Sequence, residues 1–308
     1  MSITLESAEK LNTLKRGIEA TTGESYPDLT AGVQALKDGF GKSESPVIGK
    51  PYIDTSRITD FRNFCAYNRL IDQLTRLDTS NGTNFSYMFT DSRALQTIPQ
   101  IDTSKGTTFE EMFYGCSNLT SIPQLDTSKG TNFNSMFQLC SLLTTIPQLD
   151  TSKGEFFSNM FQLCSLLTTI PQLDTSKGTS FSSMFHSCTQ LKTIPQLDIS
   201  NGTGFYSMFR NCPQLETVSI TKAKSNFQVD SFQGCTALKN ITIGEGWNVN
   251  IYLHYSENLT TESLHGMIEN LADLTGQTAK TFQIGATNIA KIDEEHLTML
   301  QNKNWNYS

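Results

Sequence analysis

Seven carboxylates stand at one fixed interval along this chain. Asp54, Asp78, Asp102, Asp126, Asp150, Asp174 and Asp198 are each 24 residues apart. Oxygen donors in a row are what calcium binds. Stacked in successive layers about 5 Å apart they would also repel one another, so each needs compensation. Calcium is one source. The other, which is the expectation here, is that each Asp caps its own turn by accepting the N–H two residues ahead. Lys105, Lys129, Lys153 and Lys177 lie three residues further on and can neutralise neighbouring carboxylates.

Thiols form a second series. Cys116, Cys140, Cys164, Cys188 and Cys212 share the 24-residue interval, Cys235 follows after 23, and Cys65 takes the position of Phe89 and Phe113 among the seven cysteines. Zinc and redox sites need close cysteine pairs, and the chain has no C-x-x-C. A reduced, buried ladder is the expectation, because free cysteine packs as a small hydrophobe. His186, His254, His265 and His296 are scattered, with no nucleophile at a matched position. Glu110 and Glu111, like Glu294 and Glu295, are adjacent, and on a helix such neighbours point about 100° apart. Nothing here suggests an enzyme, a cofactor or a metal site.

The buried positions hardly vary between repeats, whereas some outward ones do. Tyr87, Arg93, Tyr114, His186, Tyr206 and Arg210 are the candidate ligand-binding residues, since aromatic and Arg side chains are common anchors. Gln100, Gln124, Gln148, Gln172 and Gln196 make a further ladder. Thr144–Thr145 and Thr168–Thr169 belong to another, which breaks at Lys192 and Glu216. Stacking of amides and hydroxyls along a sheet accounts for both.

Positioning such series requires a stack. A fixed period of this length means that each unit buries its apolar face only against its neighbours. In the unit Leu119–Leu143, Leu119, Ile122 and Leu125 predict a short strand bending at Pro123. Asp126-Thr127-Ser128-Lys129-Gly130 is a turn in which Gly130 is free to take positive φ. Phe133, Met136, Phe137 and Cys140 then fall at i, i+3, i+4 and i+7, the face of a short helix capped by Thr131 or Asn132. The expected fold class is α/β: a solenoid of 24-residue strand-plus-short-helix coils with a parallel sheet, plus a small N-terminal helical hairpin.

Residues 1–42 read as that hairpin. Leu11, Leu14 and Ile18 stripe one helix and Val33, Leu36 and Phe40 the other, more apolar surface than two short helices can hide. They predict an oligomer or anchor contact: a homotrimer, or docking to another protein. Residues 43–50 form a linker, 51–245 the solenoid and 246–308 a C-terminal capping unit. Within the cap, Thr261-Glu262-Ser263-Leu264 starts an amphipathic helix reaching Leu274, residues 280–284 are a strand, and Glu294 to Gln301 is a last helix. With 37% hydrophobic and 17% charged residues, the surface relies on uncharged polar side chains. The net charge of -7 argues against a nucleic-acid binder. No apolar run suits membrane insertion, and no secretory signal peptide or membrane anchor is read.

The unit resembles the BspA-like leucine-rich repeats. Asp126-Thr127-Ser128, Thr131-Asn132 and Met136-Phe137-Gln138-Leu139-Cys140-Ser141-Leu142-Leu143 carry the likeness, which spans residues 51–245. Leu259-Thr260-Thr261-Glu262-Ser263-Leu264, Leu271-Ala272-Asp273-Leu274-Thr275-Gly276, Ala290-Lys291-Ile292 and Trp305 look like the ending common on such proteins from gut Firmicutes and their phages. The hairpin, with Ile18, Thr22-Gly23 and Leu36, is similar to a short module of phage and prophage tail proteins. The resemblance implies a leucine-rich-repeat solenoid and adhesion or receptor binding at a surface, with no catalytic residues transferred. The function expected is a non-enzymatic phage tail or tail-tip protein, made in the host cytoplasm and carried in the virion. It would bind a host-surface glycan or protein through its solenoid. A bacterial cell-surface adhesin and a structural spacer are the alternatives.

Overall fold

The computed structural model describes residues 55–68, 77–221, 223, 225, 227 and 230–308. The hairpin of residues 1–42 with its six apolar stripe residues, the 43–50 linker and Asp54 lie outside the described residues.

The 24-residue period becomes a stack of parallel coils. Single parallel bridges join Asp60 to Asn84 and run on through Thr108, Asn132, Phe156 and Ser180 to Gly204, one residue per coil. Beside this column the core is a double column of rings. Phe61, Phe85, Phe109, Phe133, Phe157, Phe181 and Phe205 form one stack, and Phe89, Phe113, Phe137, Phe161, Phe185 and Phe209 the other. Successive ring centroids are 5.5–5.9 Å apart with planes within 10°, an offset stack that aromatic quadrupoles favour. Each fully buried Phe contributes about 1.5–3 kcal/mol of transfer free energy.

The expected helix of each coil does not form. The face is right, since Phe133, Met136, Phe137 and Cys140 are all fully buried. The backbone differs. Met136 N–H donates to Phe133 O, Gln138 to Ser135 and Cys140 to Phe137, all within the coil. The N–H groups between them leave the coil: Phe133 donates to Phe156 O, Ser135 to Ser158 O, Phe137 to Met160 O and Leu139 to Gln162 O. The segment is a chain of turns with every second N–H spent on the next coil, where an α-helix would keep them all inside. Positive φ makes this possible. Ser135 (55°) and Leu139 (64°) hold the third positions of two such turns, as do Asn159 and Leu163, then Ser183 and Ser187. An L-residue there costs roughly 1–2 kcal/mol, offset by the inter-coil bonds it permits.

The expected strand is also absent from the central coils, and proline is the reason. Pro123 and Pro147 have no N–H to give a ladder. The neighbouring glutamine substitutes for it: Gln100, Gln124, Gln148 and Gln172 each donate Nε2–H to the backbone carbonyl of the next glutamine in the ladder, at 2.7, 2.5, 2.6 and 2.8 Å. The amides therefore bridge to main chain and do not stack on one another. Where the Ile-Pro-Gln-Leu pattern ends, true strands appear: β1 (Thr217–Ile220) and β2 (Asn240–Ile243), paired in parallel with Thr217 opposite Asn240.

Gly130 is not at positive φ, contrary to expectation. Space explains it: a Cβ there would lie 2.7 Å from Phe133 Cζ and 2.9 Å from Phe109 Cε2. The glycine lets the turn close over the ring stack.

The C-terminal unit closes the open end. β3 (Ile251–Tyr252), β4 (Lys280–Gln283) and β5 (Trp305–Tyr307) form a parallel sheet in the order β3-β4-β5. α1 (Thr261–Asn270) starts where expected, with Thr260 Oγ1 accepting the Ser263 N–H at 3.1 Å, and ends four residues short of Leu274. Leu264, Met267 and Ile268 face the core. α2 (Ala286–Ile289) is a single turn. α3 (Glu294–Asn302) is capped by Asp293 and packs on α1 and β5. Lys303 just beyond it donates to the carbonyls of Ile268, Glu269 and Leu271 at 3.1, 2.7 and 2.9 Å, tying α3 to the C-terminus of α1.

Candidate functional site

The turn chain fixes which side chains leave the coil and lines them up between coils. Asp91 N–H donates to Tyr114 O, Gly115 to Gln138, Leu139 to Gln162, Leu163 to His186 and Ser187 to Arg210. Tyr114, Gln138, Gln162, His186 and Arg210 therefore occupy one column, and three of the six candidate ligand residues belong to it. The three middle side chains link up. Gln138 Nε2 donates to Gln162 Oε1 at 2.5 Å. Gln162 Nε2 lies 3.0 Å from His186 Nδ1. With the amide donating, His186 accepts at Nδ1 and carries its proton on Nε2. Burial pushes the His186 pKa below its ordinary value, and the Arg210 charge adds to this while Asp230 opposes it. Arg210 ends the series in an ion pair with Asp230 at 3.5 Å, while its buried Nε has no partner.

The remaining candidates flank the column. Tyr206 is 57% exposed and stands four residues before Arg210 in the same coil. Tyr87 and Arg93 lie at the N-terminal end, where the surface is acidic. Arg93 is tied to Asp91 at 3.0 Å. Burial, then Glu110 and Glu111, raise the Tyr87 phenol pKa, and burial with Glu110 and Asp91 raises that of Glu111. At the middle of the strip the exposed side chains are apolar: Leu142, Leu163 and Leu166. The two coils that carry them are the most alike in sequence, with residues 136–147 repeated identically at 160–171.

Both regular ladders are hydrogen-bonded into the stack. In every described coil of the series the Asp side chain accepts the Ser N–H two residues on: Asp78, Asp102, Asp126, Asp150, Asp174 and Asp198, at 2.9–3.1 Å. The Ser hydroxyl and then the Ser N–H hold the Asp102, Asp126 and Asp150 carboxyls below their ordinary pKa, ahead of the lysine charge. The intervening threonine staples coil to coil: Thr103, Thr127 and Thr151 each donate to the carbonyl of the next ladder Asp at 2.8 Å. Asp-Thr-Ser is thus a turn cap plus an inter-coil bond. The thiols Cys116, Cys140, Cys164, Cys188, Cys212 and Cys235 are unpaired and buried. Each donates S–H to a Phe carbonyl in the preceding coil at 2.9–3.1 Å. Burial pushes Cys116, Cys164 and Cys235 up to about 12 and the other three well above the ordinary thiol range.

A family model described as "Mycoplasma protein of unknown function, DUF285" matches residues 35–145 and 131–242, more than half of the chain. The chain belongs to the DUF285 family. Its coils are similar to those of solved leucine-rich repeat proteins. One from T. pallidum is 17% identical with a TM-score of 0.42, covering 64% of this chain and 91% of that one. A leucine rich cell surface protein from Faecalibacterium prausnitzii is 17% identical with a TM-score of 0.25, covering 86% of each. A leucine-rich repeat protein from Bacteroides ovatus is 14% identical with a TM-score of 0.21, covering 77% and 82%. No curated protein matches the chain. Among the described residues of this DUF285 chain, no helix is long and apolar enough to cross a membrane.

The C-terminal unit holds an arrangement the sequence did not reveal. His265 and His296, treated as scattered, stack with ring centroids 3.6 Å apart and planes at 11°. They are 31 residues apart in sequence, on α1 and α3, and no local spacing marks them as a pair.

Proposed function

We propose that this chain is a non-enzymatic binding and display protein whose turn-chain strip contacts a ligand on a cell surface. The observation that carries the reading is the hydrogen-bonded series Gln138–Gln162–His186, in one column with Arg210, whose coil also carries the exposed Tyr206. A ring that can stack on a sugar, next to fixed amide, imidazole and guanidinium donors, suits a glycan.

The finer reading is a phage tail or tail-tip component meeting a host-surface glycan or protein. It rests on the likeness of the N-terminal segment to tail modules, with that segment joining sister chains, as a homotrimer, or other tail proteins. A bacterial cell-surface adhesin uses the same strip and is the alternative. Labelled full-length protein should bind cells of the host, and Tyr206→Ala with Arg210→Ala should weaken binding by roughly tenfold or more, the loss expected of anchor residues. Unchanged binding by that double variant would remove the strip from the reading. Tail genes beside this one favour the virion, and a surface-anchoring locus favours the adhesin.

A further inference from the structure

We propose that His265, His296 and Asp293 form a binding site for a borderline divalent transition-metal ion, of the Zn2+, Co2+ or Ni2+ class, that clamps α1 to α3. One donor atom from each of the three residues lies within 4.8 Å of the other two. The arrangement has three parts. First, Asp293 is divided between two tasks. Its Oδ1 accepts the His296 N–H at 2.9 Å and faces His296 Nδ1 at 2.8 Å. Its Oδ2 is turned to His265 Nε2 at 3.7 Å. Second, His296 Nδ1 is the nitrogen on the Asp293 side. An ion there replaces the Nδ1 proton, while Nε2 keeps its N–H turned to the Glu269 carboxylate at 3.6 Å, which is how a carboxylate orients a metal-binding imidazole. Third, His265 Nε2 is closed off from water and has no hydrogen-bond partner. A buried polar atom without a partner calls for an explanation.

One ion accounts for all three. Donors sharing a tetrahedral ion at 2.0–2.2 Å sit roughly 3.4 Å from one another. The 3.7 Å gap between His265 Nε2 and Asp293 Oδ2 is too long for a hydrogen bond and close to that edge length. Three protein ligands leave the fourth position to water, since Glu269, 3.6 Å from His296 Nε2, stands behind the ring and outside the cluster of donor atoms. The imidazole rings must splay from their stack for both lone pairs to reach one ion, and exposed Asp293 and Glu269 leave room for it. Two nitrogens with carboxylate oxygens suit zinc and its neighbours better than calcium or magnesium, which take oxygen. The site joins the two longer helices of the unit that closes the solenoid, so a bound ion would hold that end shut.

The test uses untagged full-length protein under reducing conditions, titrated with Co2+ and, separately, with Zn2+. The expected result is a Co2+ ligand-field spectrum free of thiolate charge transfer and a melting temperature that rises with Zn2+. Both should vanish in His265→Gln/His296→Gln and survive in His186→Gln/His254→Gln. Asp293→Asn keeps a good helix cap while removing the carboxylate charge, and should weaken metal binding by an order of magnitude or more. That variant decides the matter if the double histidine variant does not fold. No spectral change and no thermal shift, binding that persists without His265 and His296, or a thiolate band would each overturn the proposal. None of these outcomes bears on whether the strip binds a surface ligand.

Discussion

Raising the pH should unfold this protein through its core thiols. Six of them sit in one buried column and share a single physical situation: each donates S–H to a carbonyl and has no water to solvate a thiolate. Burial raises their pKa values, to about 12 for Cys116, Cys164 and Cys235. In the unfolded chain they ionise near 8.5. A folded pKa above the unfolded one gives stability that is complete below about pH 8.5 and is lost as pH climbs towards 12. Within that window each thiol removes about 1.4 kcal/mol per pH unit. The six together give a slope of roughly 8 kcal/mol per unit, against a total stability of about 5–15 kcal/mol for a folded domain. One unit above the unfolded pKa is therefore enough to threaten the fold. The assay is melting temperature by circular dichroism from pH 7 to 10.5 with reductant present, read beside ultraviolet thiolate absorption. Thiolate should appear only together with unfolding. Tyrosine and lysine titrate higher in the same range, so the control is Cys164→Ala/Cys188→Ala. That variant should start less stable and show a slope shallower by roughly 3 kcal/mol per unit. A melting temperature flat to pH 10, or an unchanged slope in the double variant, would refute the reasoning.

Asp150→Ala removes the acceptor for the Ser152 N–H and should cost roughly 0.5–2 kcal/mol in urea unfolding. Because this ladder caps turns, added calcium should leave the melting temperature unchanged; a strong rise would show that a metal binds the native state. Gly130→Ala drives a methyl into Phe133 and Phe109 and should lower stability by about 1–3 kcal/mol, the usual cost of overpacking, whereas an outright gain would contradict the ring-stack geometry. Deleting residues 1–45 should leave a folded monomeric solenoid, and light scattering of the full-length chain should show an oligomer. A full-length monomer that captures no tail partner removes the anchor reading of Leu11, Leu14, Ile18, Val33, Leu36 and Phe40.

The repeat alone was enough to place the stack, its buried columns and the Asp-to-Ser turn cap, while the threonine bond between coils appears only in the structure. A fixed period forces each residue type onto one column, and a column of Phe, Met and Cys can only be core. Variation between coils marked Tyr114, His186 and Arg210 as outward positions, and the inter-coil bonds align them in one column. Backbone geometry was not legible in the same way. The spacing i, i+3, i+4, i+7 marks a buried face, but a helix and a chain of turns bury the same residues. What decides between them is where every second N–H goes, and the neighbouring coil's carbonyls take it. The Ile-Pro-Gln-Leu segment has strand composition, yet its bonds depend on a proline that cannot donate and a glutamine that reaches across in its place. Gly130 reads as a conformational need in one dimension and is a steric one in three. The pairing of His265 with His296 belongs wholly to the tertiary structure. Two helices outside the repeat meet only because the cap folds, and no periodicity connects residues that a single docking event brings together.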